Sequence, residues 1–152
     1  MYLDEIVKAQ KQGVAKGIVS ICSAHPWVLE AAMQETEGPL LIEATCNQVN
    51  QFGGYTGMKP VDFVYYVRKI AKENNFLFEN VILGGDHLGP SVWQSEPAES
   101  AMEKSEHLIR DYVEAGFVKI HIDCSMPLGD DPQDILGVEI SVERTARLTK
   151  IA

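Results

Sequence analysis

The sequence predicts an α/β fold built on a parallel sheet, with four β/α units that amount to half of a (β/α)8 barrel. Three observations carry this reading. Apolar, strand-like runs begin near residues 17, 40, 81 and 117, and each leads into a helical pattern; regular alternation of this kind makes a parallel sheet with crossover helices. In Phe117-Val-Lys-Ile-His-Ile-Asp123 the residues Val118, Ile120 and Ile122 alternate with Lys119, His121 and Asp123, giving one aliphatic face for the helices and one polar face. Polar residues also gather where each strand-like run ends. A complete barrel takes about 250 residues, and a small open α/β sheet fits the unit count equally well.

The elements follow in order. Tyr2 to Gln12 carries Leu3, Ile6, Val7 and Ala9 at helical spacing and stops near Gly13. Gly17 to Ser23 reads as a first buried strand, and Pro26 opens a short helix running to Gln34, since proline suits the first helical turn. Glu37-Gly-Pro39 ends that helix, and Leu40 to Thr45 is the second strand. The segment Cys46 to Met58 is long for an α/β connection and rich in amides and glycine, a composition more typical of functional loops than of plain connections. Pro60 opens a helix whose stripe is Phe63, Val64, Val67, Ile70 and Ala71, ending near Asn74-Asn75.

Val81 to Gly85 is the third strand. The longest helix follows Glu96-Pro97, with Ala98, Ala101, Met102, Ser105, Leu108, Ile109, Tyr112 and Val113 on its inner face, and Gly116 ends it. His107 falls off that stripe and reads as a solvated residue. After the fourth strand, a loop holding Pro127, Gly129, Asp130, Asp131 and Pro132 leads to a last helix that Ser141 is expected to cap.

Hydrophobic content of 45% and charged content of 23% are those of a globular domain. A net charge of −9 without a basic cluster argues against a nucleic-acid or anionic-membrane partner. No apolar run approaches the roughly 20 residues that span a bilayer, and the charged start Met-Tyr-Leu-Asp-Glu lacks a signal-peptide core. The expected location is the cytoplasm. Cys22, Cys46 and Cys124 are an odd set with unmatched spacings, so buried, reduced thiols are expected rather than a disulfide framework or zinc knuckle.

Chemistry concentrates at Val81-Ile-Leu-Gly-Gly-Asp-His-Leu-Gly-Pro90. Apolar residues make a buried strand, and two glycines allow a bend or the close approach of another group. Asp86 and His87 then arrive together at the strand's carboxyl end, the edge at which α/β folds bind ligands. An Asp and His in a hydrogen-bonded turn is the plainer alternative. Glu43, inside the second strand, needs a partner or an open cavity, because an unpaired buried carboxylate is costly. His121 and Asp123 would project toward the same mouth. His25, before Pro26 at another strand exit, is equally consistent with an ordinary turn.

Taken together, Cys22-Ser-Ala-His-Pro26, Ile42-Glu-Ala-Thr45, Asn47-Gln-Val-Asn-Gln-Phe-Gly-Gly-Tyr-Thr-Gly-Met58, Gly84-Gly-Asp-His-Leu-Gly-Pro90 and Lys119-Ile-His-Ile-Asp123 resemble the non-catalytic, Z-type subunit of D-tagatose-1,6-bisphosphate aldolase of the galactitol and N-acetylgalactosamine pathways. The resemblance runs over nearly the whole chain, and the string from Asn47 is its most specific part. It implies a TIM barrel related to class II, zinc-dependent aldolases, with residues 1–152 as the N-terminal portion of a single barrel domain. It also implies Asp86 as the acid/base and His87 as a Zn2+ ligand, the remaining ligands of those enzymes coming from later strands. Glu43, Asn47, Gln48, His121 and Asp123 are the substrate-binding candidates.

The function implied by the resemblance is an auxiliary subunit that raises the activity and stability of a catalytic class II aldolase subunit, with a sugar phosphate at the shared site. The alternative is a metal-dependent C4 epimerase of a ketohexose or its phosphate, or an aldolase-like enzyme, in which Asp86 moves a proton beside a metal held by His87. A tagatose-6-phosphate kinase ranks last: the sequence has no Gly-x-x-x-x-Gly-Lys-[Ser/Thr] segment, though other kinase folds do without one. A half barrel on its own would expose its first and fourth strands as open edges, so self-association or a second fragment is expected to cover them.

Overall fold

The computed structural model describes residues 2–132 and 135–152. The elements are α1 (Tyr2–Lys11), β1 (Ser20–Cys22), α2 (Pro26–Glu35), β2 (Leu40–Thr45), α3 (Pro60–Glu73), β3 (Val81–Leu88), α4 (Ala98–Glu114), β4 (Lys119–Ile122) and α5 (Val138–Thr149), with 3-10 turns at Phe78–Asn80 and Pro90–Trp93. The strands form one parallel sheet in the order β1-β2-β3-β4. A doubly wound sheet reverses its order at a switch point; this one does not. Helices α2 to α5 contact one another in sequence. An α/β chain wound in one direction is consistent with part of a barrel.

The core lies between the helices and the sheet face that carries Leu40, Ile42, Ala44 and Leu83. Leu29 and Met33 from α2, Phe63, Val67 and Ile70 from α3, and Leu108, Ile109 and Tyr112 from α4 close over it. The α3 and α4 residues belong to the stripes expected from the helical spacing, except that Val113 of the α4 stripe is 36% exposed; burying each large side chain contributes about 1.5–3 kcal/mol. Tyr112 is fully buried, and its hydroxyl donates to the Val49 carbonyl at 2.9 Å. That bond ties α4 to the loop after β2. The start of α3 is closed by Asp62, whose carboxylate accepts the Lys59 N–H at 3.0 Å.

Four expectations need correction. The first strand is shorter than Gly17–Ser23 and is not buried: Val19 is 68% exposed and Ser20 and Cys22 are exposed. Among the described residues β1 has a neighbouring strand on one side only. Cys22 is therefore an exposed thiol, while Cys46 and Cys124 are buried as expected. The fourth strand begins at Lys119, which leaves Val118 outside it and exposed; Phe117 takes the core place instead, packed on Tyr112 at 4.5 Å between ring centroids. Ser141 does not cap α5. Its N–H already donates to the Gly137 carbonyl at 3.2 Å, an intrahelical bond, so the helix starts one turn earlier with Gly137 at the cap.

α5 is fixed to the loop that follows β4 by a nearly buried ion pair. Arg144 donates from both terminal nitrogens to Asp131, at 2.7 and 2.8 Å, and the Leu128 N–H donates to the same carboxylate at 2.7 Å. The Arg144 hydrogen bonds hold the Asp131 carboxyl below its ordinary range against the opposing effect of burial. In the unfolded chain this carboxyl takes up its proton first as pH falls. The pair's contribution is therefore complete above about pH 4, the unfolded aspartate value, and is lost as pH falls through the lower folded value. Asp131→Asn is expected to lower unfolding free energy at pH 7 by about 3 kcal/mol, since it strands a buried guanidinium. Urea unfolding at pH 7, 4 and 3 checks this: the gap between wild type and variant should narrow over the last interval.

Candidate functional site

The candidate site sits on the sheet face away from the helices, toward the carboxyl ends of the strands. Strand register explains its composition. Cys22 is paired with Glu43, Glu43 with Gly84, and Gly84 with Lys119, so these residues form one row across all four strands. Partners in a parallel ladder share a face. Thr45 pairs with Asp86 one layer higher. At that level the ladder shifts: Gly85 pairs with Ile120 and Leu88 with Ile122, so Asp86 and His87 together oppose His121. This is a β-bulge, and His87 takes a left-handed φ of 49° within it. Adjacent strand residues ordinarily point to opposite faces. The extra residue brings Asp86 and His87 onto the same one, and ligand atoms of Asp86, His87 and His121 all lie within 4.8 Å of one another.

Gly84 and Gly89 are required by close approach. A Cβ at Gly84 would lie 2.7 Å from Glu43 Oε1, and one at Gly89 would lie 2.1 Å from the carbonyl oxygen of Asp123. Gly84 thus leaves the space in which Glu43 meets Lys119 across β3. Gly89 lets the chain leave β3 directly against the end of β4. The contact at Gly84 is the close approach expected of the paired glycines; the one at Gly89 is not predicted by the sequence.

The polar groups form a continuous chain. Glu43 is 5% exposed and is held by the Ser20 hydroxyl and the Lys119 ammonium. Lys119 Nζ also lies 3.6 Å from Asp86 Oδ1 and 3.5 Å from the Gly85 carbonyl. Asp86 Oδ1 lies 2.8 Å from His121 Nδ1, a hydrogen bond the ionised carboxylate accepts, and Cys22 donates to Asp86 Oδ2 at 3.5 Å. His87 Nδ1 contacts Asp123 Oδ2 at 3.1 Å, and Asp123 Oδ1 accepts the Ser125 N–H and hydroxyl at 2.9 and 2.6 Å. The two imidazoles meet edge-on at 4.4 Å.

These contacts set the charge states. Burial pushes the Asp86 carboxyl up, but His121, Lys119 and Cys22 outweigh it and the net direction is down. Asp123 behaves alike, with burial outweighed by Ser125 and His87. Burial and then the Asp86 charge push the Cys22 thiol up to about 11.

The structure brings together Asp86, His87, His121, Asp123 and Glu43 among the residues singled out from sequence. Asn47 and Gln48 lie elsewhere, in the loop after β2. Asn47 is exposed, whereas Gln48 is 8% exposed and its Oε1 accepts the Thr45 N–H at 2.8 Å. The amides there brace the loop itself: Asn50 donates to the Cys46 carbonyl and accepts from the N–H groups of Phe52 and Gly54. His25 lines a separate cleft with Gln48, Tyr55 and Thr56 and packs edge-on to Trp27.

Lys119, Cys22 and Ser20 are the members that the sequence reading passed over as site residues. The signal for Lys119 was present. A carboxylate within a buried strand demands a cation, and Lys119 shares the polar parity of His121 and Asp123.

Two imidazoles and a carboxylate are suitable zinc ligands by type and by reach. The charge around them is not suitable. The Lys119 ammonium and the His121 N–H both address Asp86 Oδ1, so a cation bound at that oxygen would compete with two donors and sit beside a positive charge. As arranged, the cluster does not fit a bound zinc.

Residues 3–152 match the model of the D-tagatose-1,6-bisphosphate aldolase subunit GatZ/KbaZ-like family. The chain belongs to that family. It is also similar to a solved structure, that of a probable tagatose 6 phosphate kinase from Sinorhizobium meliloti 1021, at 51% identity and a TM-score of 0.86. The similarity covers 90% of this chain and 36% of that one, so the present chain spans little more than a third of that protein's length.

The Cys22–Asp86 contact has a direct chemical consequence. Only the thiolate alkylates readily. At pH 7.5 Cys22 is expected to react with iodoacetamide on the order of 100-fold more slowly than an unperturbed thiol, despite its exposure. Asp86→Asn should accelerate it, as followed by peptide mass spectrometry of the Cys22 adduct.

Proposed function

We propose that this chain supplies the first four β/α units of a TIM-barrel auxiliary subunit, which raises the activity and stability of a catalytic class II D-tagatose-1,6-bisphosphate aldolase subunit in galactitol and N-acetylgalactosamine catabolism in the cytoplasm. Family membership supports the aldolase connection, and the single winding direction of the sheet supports the barrel. The observation that carries the non-catalytic reading is that both carboxylates at the mouth are engaged within the chain. Each oxygen of Asp86 and of Asp123 has a hydrogen-bond partner among its neighbours. A general base must reach the proton it abstracts, and here each carboxylate is oriented by the end of its own strand and the strand beside it.

On this reading β1 and β4, each with a single neighbouring strand, are the edges that further β/α units, a second fragment or another copy covers. Glu43, Asn47, Gln48, His121 and Asp123 remain the groups proposed to face a sugar phosphate. Asn47, His121 and Asp123 are the more accessible ones, and Glu43 acts through Lys119. The kinase reading attached to the Sinorhizobium protein is not adopted, because Lys119, the cation of this mouth, is committed to Glu43 rather than to a phosphate.

A second reading, a metal-dependent ketohexose or ketohexose-phosphate C4 epimerase or an aldolase-like enzyme, is favoured by one observation, the convergence of Asp86, His87 and His121. There Asp86 would move the proton and His87 would bind the metal, after Lys119 withdrew from Asp86.

Titration of the catalytic aldolase subunit with this chain is the deciding experiment. A saturable rise in tagatose-bisphosphate cleavage, with slower thermal inactivation of the catalytic subunit, is expected. A flat titration overturns the auxiliary reading for this chain. Turnover of fructose 6-phosphate or tagatose 6-phosphate by the chain alone, with stoichiometric zinc, puts the second reading in its place.

A further inference from the structure

We propose that Lys119 is a built-in cation that takes the place of a metal ion at this mouth and keeps the Asp86–His87–His121 cluster free of divalent metals. The inference deepens the auxiliary reading and rests on it, since it names what makes the mouth non-catalytic.

The geometry shows a built position. Lys119 leaves β4 in register with Gly84 of β3, and Gly84 is in register with Glu43 of β2. With no side chain on the middle strand, the lysine and the glutamate bridge across it. A Cβ at Gly84 would lie 2.7 Å from Glu43 Oε1 and close that passage. An ammonium has three donors, and three acceptors surround this one: the Glu43 carboxylate, the Gly85 carbonyl at 3.5 Å and Asp86 Oδ1 at 3.6 Å.

Glu43, which is buried, anchors Lys119 from below. The cation therefore has little freedom to swing away. Asp86 Oδ1 is also the atom that contacts His121, at 2.8 Å, and it lies 4.0 Å from His87 Nε2, within the cluster of three potential ligands. A divalent ion entering there would meet a fixed positive charge a few ångströms away, and at such a range repulsion is severe even with solvent screening.

The test is metal binding by the purified 152-residue chain, with Co2+ as the probe. Visible d–d absorption reports ligand-field geometry, and calorimetry reports affinity. The unaltered chain is expected to bind Co2+ weakly. Lys119→Met should bind on the order of 100-fold more tightly or better, with a new visible band, and His87→Ala on the Lys119→Met background should abolish both. Lys119→Arg, which keeps the charge, should remain weak.

If Lys119→Met alone fails to fold because Glu43 is left unpaired, as judged by circular dichroism melting, the Glu43→Gln/Lys119→Met double variant is read in its place. Tight stoichiometric Co2+ binding by the unaltered chain overturns the proposal without any variant. A gain in Lys119→Met that survives His87→Ala also overturns it, because the metal is then elsewhere. A flat aldolase titration together with the expected Co2+ series would retire the auxiliary reading and leave Lys119 as the metal-excluding group.

Discussion

The bridge between Glu43 and Lys119 across Gly84 is the interaction on which the rest of this mouth depends. A carboxylate that is 5% exposed needs a counter-charge and hydrogen bonds. Lys119 supplies the first, and Ser20 adds a bond from the far side. β1, β2 and β4 are thereby joined through side chains over a strand that contributes none. Asp86 sits directly above and shares the same ammonium. Its own bond to His121 and the edge-on contact of His121 with His87 follow from that placement.

The second constraint is the bulge. Without the extra residue between Gly85 and Leu88, Asp86 and His87 would lie on opposite faces, and the imidazole would meet the helix layer. The left-handed backbone at His87 is a local cost of roughly 1–3 kcal/mol. Packing on both sides holds it there: Leu88 beyond the bulge is fully buried, and the Asp123 N–H donates to the Leu88 carbonyl at 2.9 Å. The same bond anchors the end of β4, which aims Asp123 at His87.

Much of this was legible in the residues. The order of elements follows from hydrophobic periodicity and from proline and glycine punctuation, because Pro26, Pro60 and Gly116 act locally. The polar face of the fourth strand follows from alternation alone. The need of Glu43 for a partner follows from its place in an apolar run. The bulge was not legible, since one inserted residue in a ladder is a matter of register with β4 and leaves no periodic trace in β3. The exposure of β1 was hidden for a related reason: Gly17–Ser23 has the composition of a buried strand, and burial depends on neighbours that pattern does not specify. The loop from Asn47 carries a second role that its composition did not reveal. Gln48 and Asn50 satisfy the loop's own backbone.

Sequential winding gives the molecule one more property. Each strand meets only the one before and the one after, and every ion pair and hydrogen bond described at the mouth begins and ends within β1 to β4 and the turns that follow them. Among the described residues, the buried charges Glu43 and Arg144 find their partners within the four units. A segment of this kind can be duplicated, fused or exchanged between longer proteins without stranding a buried charge at the seam. Its helices and strands can still be extended at either edge by the same repeating step that built them.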